Sequence, residues 1–293
     1  MQRRRQRHTM VARLFRILIL VAARPDRVAT AAFAPVRVIL PAGGNVMAPS
    51  ETQTPPRPVW LKTGVAPAAV APRSFCVSSS LGMASPSGID ALPEVVQTAT
   101  FFGIYAALFA ATSAVSSALD ATSKSMGLER WRISVVETTL PLILGALYLT
   151  AGIGHFSSKG SFVDIYPPPG TWGIWKLPGS AEFHVTWTGA AELLGGMGLI
   201  FGGLKDYILD DDDDGSLIIN LVKPASALSL FLLTVAVTPA NIYMYTHGAT
   251  MGDTGPLDLS FHYVRFAVQA VLLGLLLTLT KDSFFFAWGD ELD

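Results

Sequence analysis

Cysteine is almost missing from this chain: its 293 residues hold one, Cys76. With no second thiol there can be no internal disulfide, no CxxC redox pair and no thiolate metal site. Charge is scarce as well. Asp, Glu, Lys and Arg make up 15% of the residues, where a soluble domain carries roughly a quarter. Hydrophobic residues reach 51%, with a mean hydropathy of +0.44. This balance excludes an ordinary soluble domain and points to a polytopic membrane protein. Acids are nearly absent from the first 88 residues, which contain only Asp26 and Glu51. From residue 89 onward, nine Lys/Arg stand against twenty Asp/Glu, a balance of −11. An acidic body of this kind argues against nucleic acid as a partner. No flavin or dinucleotide fingerprint is present. The acidic run Asp210 to Asp214 lacks the ligand spacing of an EF-hand loop and reads as a solvated loop. No metal site is expected.

The N-terminal ninety residues have the composition of an address. Residues 1–32 begin with Arg3, Arg4, Arg5 and Arg7, continue into an apolar run over 17–23, and end in small residues at Ala29, Ala31 and Ala32. That is the order of a signal peptide, and the apolar run is too short for a transmembrane helix. A start at Met10 gives a more ordinary signal. Residues 33–88 are rich in Ala, Pro, Ser, Thr and Val, with four basic residues and one acid, as in a transit peptide. The junction Ala31-Ala32-Phe33-Ala34-Pro35 resembles the boundary motif of bipartite plastid presequences in red-lineage secondary-plastid algae. A disordered tail on a secretory-pathway membrane protein is the alternative.

Five apolar runs follow: 94–119, 133–153, 183–204, 225–245 and 261–280. Each is close to the ~20 residues that cross ~30 Å of hydrocarbon as a helix, and only helices satisfy every backbone group at these lengths. Pro141 and Pro239 fall within two of the runs and predict kinks. Lys124, Arg130, Arg132, Lys205, Lys223 and Lys281 flank one side of the membrane, which in a plastid is the stromal side. His155, His184, His247 and His262 fall on the other side, at the level of Trp172, Trp175, Trp187, Tyr243, Tyr245 and Tyr263. Two readings stand there, an interfacial aromatic belt and a polar pocket.

Within the membrane, Glu192 lies about 14 Å into the third run. A carboxylate at that depth requires a partner or a cavity. Arg265 and Gln269 lie one turn apart on the fifth run, and Asn241 comes near the same end of the fourth. A cluster of Glu192, Arg265, Asn241 and Gln269, opening toward His155 and His262, is therefore expected. It is either a lock between helices or a ligand or proton site. Gly189, Gly195, Gly196, Gly198, Gly202 and Gly203 predict close backbone approach within the bundle.

Four ordered motifs carry a family resemblance: AGIGHF at 151–156, AELLGGMGLIF at 191–201, TPANIYMY at 238–245 and HYVRFAVQAVL at 262–272. Together they are similar to the DoxX-like integral membrane proteins. The resemblance implies an all-α protein with a four-helix transmembrane bundle over 131–283. The span in 89–124 is then an additional N-terminal transmembrane helix, and 284–293 a short acidic tail. It also implies a redox-linked membrane subunit, at most an oxidoreductase subunit without its own cofactor motif, meeting a quinone or a membrane redox protein. A small-solute or lipid carrier and a non-catalytic assembly or scaffold protein remain open. All three place the chain in contact with membrane lipid, in the thylakoid or inner envelope membrane of the plastid.

Overall fold

The computed structural model describes residues 85–128, 135–208, 217–252 and 255–289. The signal segment, the transit segment up to 84, Cys76, Arg130, Arg132, the Asp210 to Asp214 run and the last four residues lie outside the described residues.

Six α-helices make up the described chain: α1 (Glu94–Ser125), α2 (Leu140–Ser157), the short α3 (Lys159–Asp164), α4 (Ala181–Ile208), α5 (Leu217–His247) and α6 (Leu259–Gly289). Four of them are long and apolar enough to cross a membrane, over Glu94–Ser125, Leu140–Ser157, Ile219–His247 and Leu259–Phe285. The expectation was five. With 28 residues, α4 is long enough, but six glycines, His184, Thr186, Thr188 and Glu192 lower its hydropathy. It packs against α2 on one side and α5 on the other. The packing order is α2, α4, α5, α6, α1, each helix lying on the next.

The interior is largely apolar, but large apolar side chains also face outward and small polar ones inward. Val95, Phe102, Ile143, Leu194, Leu232, Val264 and Val268 point outward, while Thr112, Ser116, Thr234, Thr238, Gln269 and Thr278 are buried. Ser116 of α1 and Thr278 of α6 hydrogen-bond at 3.1 Å. Outward apolar side chains suit lipid, and inward small polar ones join helices where apolar packing alone gives no preference.

Local sequence explains the helix ends. Met126 caps α1 and Gly127 follows it at φ +62°. Leu128 N–H donates to the Ser123 carbonyl and Gly127 N–H to the Lys124 carbonyl, the paired bonds of a Schellman stop. A π-turn over Val135–Thr139 leads into α2. Pro141 is the second residue of α2, just inside the Leu140–Ser157 span and directly after this wider turn.

Pro224 and Pro239 lie inside α5. Pro239 lacks the N–H that would bond the carbonyl of Val235, four residues earlier. Tyr105 of α1 makes up the loss: its hydroxyl donates to the Val235 oxygen at 3.0 Å.

The glycines of α4 divide into two faces. A Cβ built at Gly196 would lie 2.8 Å from the Gly145 oxygen, one at Gly145 would lie 2.8 Å from the Gly196 oxygen, and one at Gly152 would lie 2.9 Å from the Gly189 oxygen. These contacts are backbone to backbone, so α2 and α4 touch along a seven-residue repeat. Gly195, Gly198 and Gly202 instead face α5, opposite Leu230, Ser226 and Lys223. The expected close approach is therefore intramolecular, and α4 uses it on both flanks.

The α3-to-α4 connection, punctuated by Pro167, Pro168, Pro169 and Gly170, folds back over one end of the bundle. Trp172 lies there at φ +54°, a conformation rare for a bulky residue. Its ring is fully buried and packs on Phe101 of α1 at 4.7 Å. The indole N–H donates to Thr246 Oγ1 of α5 at 3.0 Å. A left-handed backbone costs about 1–3 kcal/mol. Burying an indole with its N–H satisfied offsets that.

Candidate functional site

The structure divides the expected polar cluster in two. Glu192 lies about 16 Å from the start of α4, between Gly189 and Gly196 on the face turned to α2. Its Oε2 is 2.9 Å from Nδ1 of His155, and both side chains are buried. The same Nδ1 is 3.1 Å from the Ala151 carbonyl, so one ring nitrogen lies near two acceptors. No hydrogen-bond donor among the described residues is aligned on Oε2. The ring of Phe162 from α3 stacks on His155 at 4.0 Å. His155 reaches this position because residue 189 is glycine: a Cβ there would lie 2.6 Å from the His155 Cβ.

Arg265 is elsewhere. The ion pair expected between Glu192 and Arg265 does not form. The reason is topological, since α5 packs between α4 and α6 while the Glu192 face of α4 is turned toward α2. Among the described residues no carboxylate lies within 4 Å of Arg265, and its polar contact is Nη1 to Met244 Sδ at 2.8 Å.

Asn241 and Gln269 meet as expected, with Asn241 Nδ2 donating to Gln269 Oε1 at 3.0 Å. Gln269 Nε2 donates in turn to Thr238 Oγ1 at 2.7 Å. Thr238 Oγ1 donates to the Thr234 carbonyl at 2.9 Å. Thr234 Oγ1 hydrogen-bonds Tyr148 of α2 and donates to the Leu230 carbonyl at 2.8 Å. A polar ladder thus crosses the bundle from α6 through α5 to α2. Thr234, Thr238 and Tyr148 were not among the sequence candidates. The four-residue spacing of Thr234 and Thr238, followed by Asn241, was the available signal, because it puts the three on adjoining turns of one helix.

Arg265, Asn241, Gln269 and His262 share a cleft of about 430 Å³, walled by α1 and α5 and floored by α6. It exists because α1 packs along α6 but meets α5 at few points. Ile104, Leu108, Ile242 and Phe266 give it apolar walls, and the mouth is partly open. A Cβ at Gly103, on the rim, meets nothing within 4 Å. At one end the His262 ring lies 5.6 Å from that of Tyr245, which is 6.5 Å from that of Tyr263. Of the six candidates, four therefore line this cleft, and Glu192 and His155 form a separate buried pair.

The two remaining histidines among the described residues are held by aromatic neighbours. His184 stacks on Tyr166 at 5.2 Å, and its Nε2 donates to the Pro178 carbonyl while Nδ1 accepts from Trp187. His247 packs against Trp172 and Tyr243. Among the described residues no three His, Cys, Asp or Glu gather as a metal site would require. An apolar-walled cleft with a few convergent hydrogen-bond donors is the usual form of a small-molecule site.

The likeness to DoxX-like proteins rests on the four sequence motifs alone: the chain matches no family model, no curated protein and no solved structure.

Proposed function

We propose that this chain is a DoxX-like multi-pass membrane protein of the plastid that takes an amphiphile from the bilayer into the cleft between α1, α5 and α6. The observation that carries the reading is the cleft itself. Apolar walls and a partly open mouth suit a hydrocarbon chain, and Arg265, Asn241 and Gln269 offer hydrogen bonds to a head group at depth. In this reading α4 crosses with the four more apolar helices, covered by α2 and α5.

The family likeness implies a quinone as one such amphiphile. The donor set and volume fit a ring bearing carbonyls, which Arg265 and Asn241 would hold by donation while the tail leaves through the mouth. A bound quinone supplies two-electron redox chemistry. The chain's own residues would bind and orient its head. A lipid carrier uses the same geometry without the redox step.

Purification in a neutral maltoside detergent, followed by solvent extraction, absorption spectroscopy and mass spectrometry, tests the reading. Near-stoichiometric retention of one amphiphile is expected, with its loss in Gly103→Phe, which fills the open rim. Equal lipid content in both proteins would remove the cleft as the binding site.

A further inference from the structure

We propose that the head group held in this cleft is anionic, a carboxylate or phosphate on a single chain, and that Arg265 is its counter-charge. This rests on the amphiphile reading and sets an anionic chain ahead of the quinone as the occupant.

Arg265 lies about 9 Å into α6 at 1.5 Å per residue. A guanidinium carries five N–H donors and stays charged under all ordinary conditions. Here its polar contact among the described residues is a thioether sulfur, Met244 Sδ, a weak acceptor. The nearby side-chain acceptors are neutral: Gln269 Oε1 already accepts from Asn241 and Thr238 Oγ1 from Gln269, and the Asn241 amide oxygen carries no charge to balance the guanidinium. The ionisable neighbour His262 brings no negative charge. An intramembrane cation normally pairs with an acid or reaches a polar cavity. The nearest route to neutrality is an anion entering through the cleft.

The walls specify what else that anion carries. Ile104, Leu108, Ile242 and Phe266 offer no hydrogen bonds, so a bare hydrated ion would lose water there without replacement. An alkyl chain fits these walls. At about 30 Å³ per water-sized group, a cleft of about 430 Å³ holds roughly fourteen such groups. That suits one head and the first part of a chain, with the rest leaving through the open mouth. A neutral carbonyl head would use the donors but leave the charge uncompensated, and a cationic head would be repelled.

The full chain in neutral maltoside detergent is titrated with dodecanoate, dodecyl phosphate, dodecanol, dodecyltrimethylammonium and inorganic phosphate, and thermal unfolding is read at each concentration. Dodecanoate and dodecyl phosphate should stabilise the protein with at least tenfold higher affinity than dodecanol, and the cationic chain should not bind. Arg265→Gln should lose at least tenfold in affinity for both anions and none for dodecanol, and Arg265→Lys should retain part of the preference. If dodecanol binds as tightly as dodecanoate, or Arg265→Gln keeps full affinity for the anions, the anionic head is wrong. The cleft reading then survives where Gly103→Phe abolishes binding of every chain. If inorganic phosphate alone matches dodecyl phosphate, the ligand is a free anion and the amphiphile is wrong. If no chain binds, both readings fall. Should Arg265→Gln not fold, the comparison of dodecanoate with dodecanol on the unmodified protein and on Gly103→Phe decides the matter.

Discussion

A methyl group added at Gly196 should push two helices apart, whereas one added at Gly103 should stabilise the protein. At Gly196 the new carbon would lie 2.8 Å from the Gly145 oxygen and 3.0 Å from the Leu149 nitrogen. Both are backbone atoms of α2, so no side chain can turn aside, and α2 and α4 must separate along the Gly145–Gly196 and Gly152–Gly189 contacts. Overpacking of this kind costs about 1–3 kcal/mol, and a backbone clash belongs at the upper end. Replacing glycine by alanine inside a helix returns about 1 kcal/mol. Gly196→Ala should therefore lose about 2 kcal/mol. At Gly103 nothing lies within 4 Å of the new carbon, so only the helix gain applies, about 1 kcal/mol. The two variants should differ by about 3 kcal/mol. Reversible unfolding in mixed detergent, followed by far-UV circular dichroism, measures the difference. If Gly196→Ala matches or exceeds the parent in stability, the α2–α4 contact is not as close as described.

Three other substitutions test separate contacts. Tyr105→Phe removes the hydroxyl that caps the Val235 carbonyl left open by Pro239, and should cost about 1–3 kcal/mol. In a Pro239→Ala background the same change should cost much less, because the helix then supplies the bond. His155→Leu leaves the buried Glu192 carboxyl without the ring nitrogen 2.9 Å from it and should destabilise by about 1–3 kcal/mol. The double change His155→Leu with Glu192→Leu should lose less than the single change, as a double-mutant cycle by denaturant would show. Trp172→Ala should cost about 3–5 kcal/mol through the vacated space between α1 and α5, and Trp172→Gly should cost less than expected from volume alone because glycine relieves the left-handed backbone.

The helices were legible because hydropathy and helix length are local properties. The apolar runs at 94–119, 225–245 and 261–280 all lie inside helices, and the polarity of Glu192 and Arg265 marked both as notable. Side-chain partners were not legible, because they depend on which face each helix turns to which neighbour. Residue depth placed Arg265 nearer the membrane face than Glu192 but within reach of a long side chain, and depth carries no information on rotation about the helix axis. The glycines held that information: Gly189 and Gly196 flank Glu192 on one face and touch α2, which fixes where the carboxylate points. Asn241 and Gln269 were found because α5 and α6 are consecutive helices that lie side by side. Trp172 was visible as an aromatic at one membrane face, but its fully buried, left-handed position depends on Phe101, seventy-one residues earlier.

The account depends most on the crevice between α1 and α5 receiving a chain from the bilayer. A dodecanoate analogue carrying a diazirine at mid-chain, photolysed with the full protein in lipid nanodiscs and mapped by peptide mass spectrometry, tests this directly. Adducts should concentrate on cleft residues such as Ile104, Leu108, Ile242 and Phe266, and unlabelled dodecanoate should compete them away. Adducts spread evenly over outward residues such as Leu194, Ile143 and Leu232, without competition, would contradict the account.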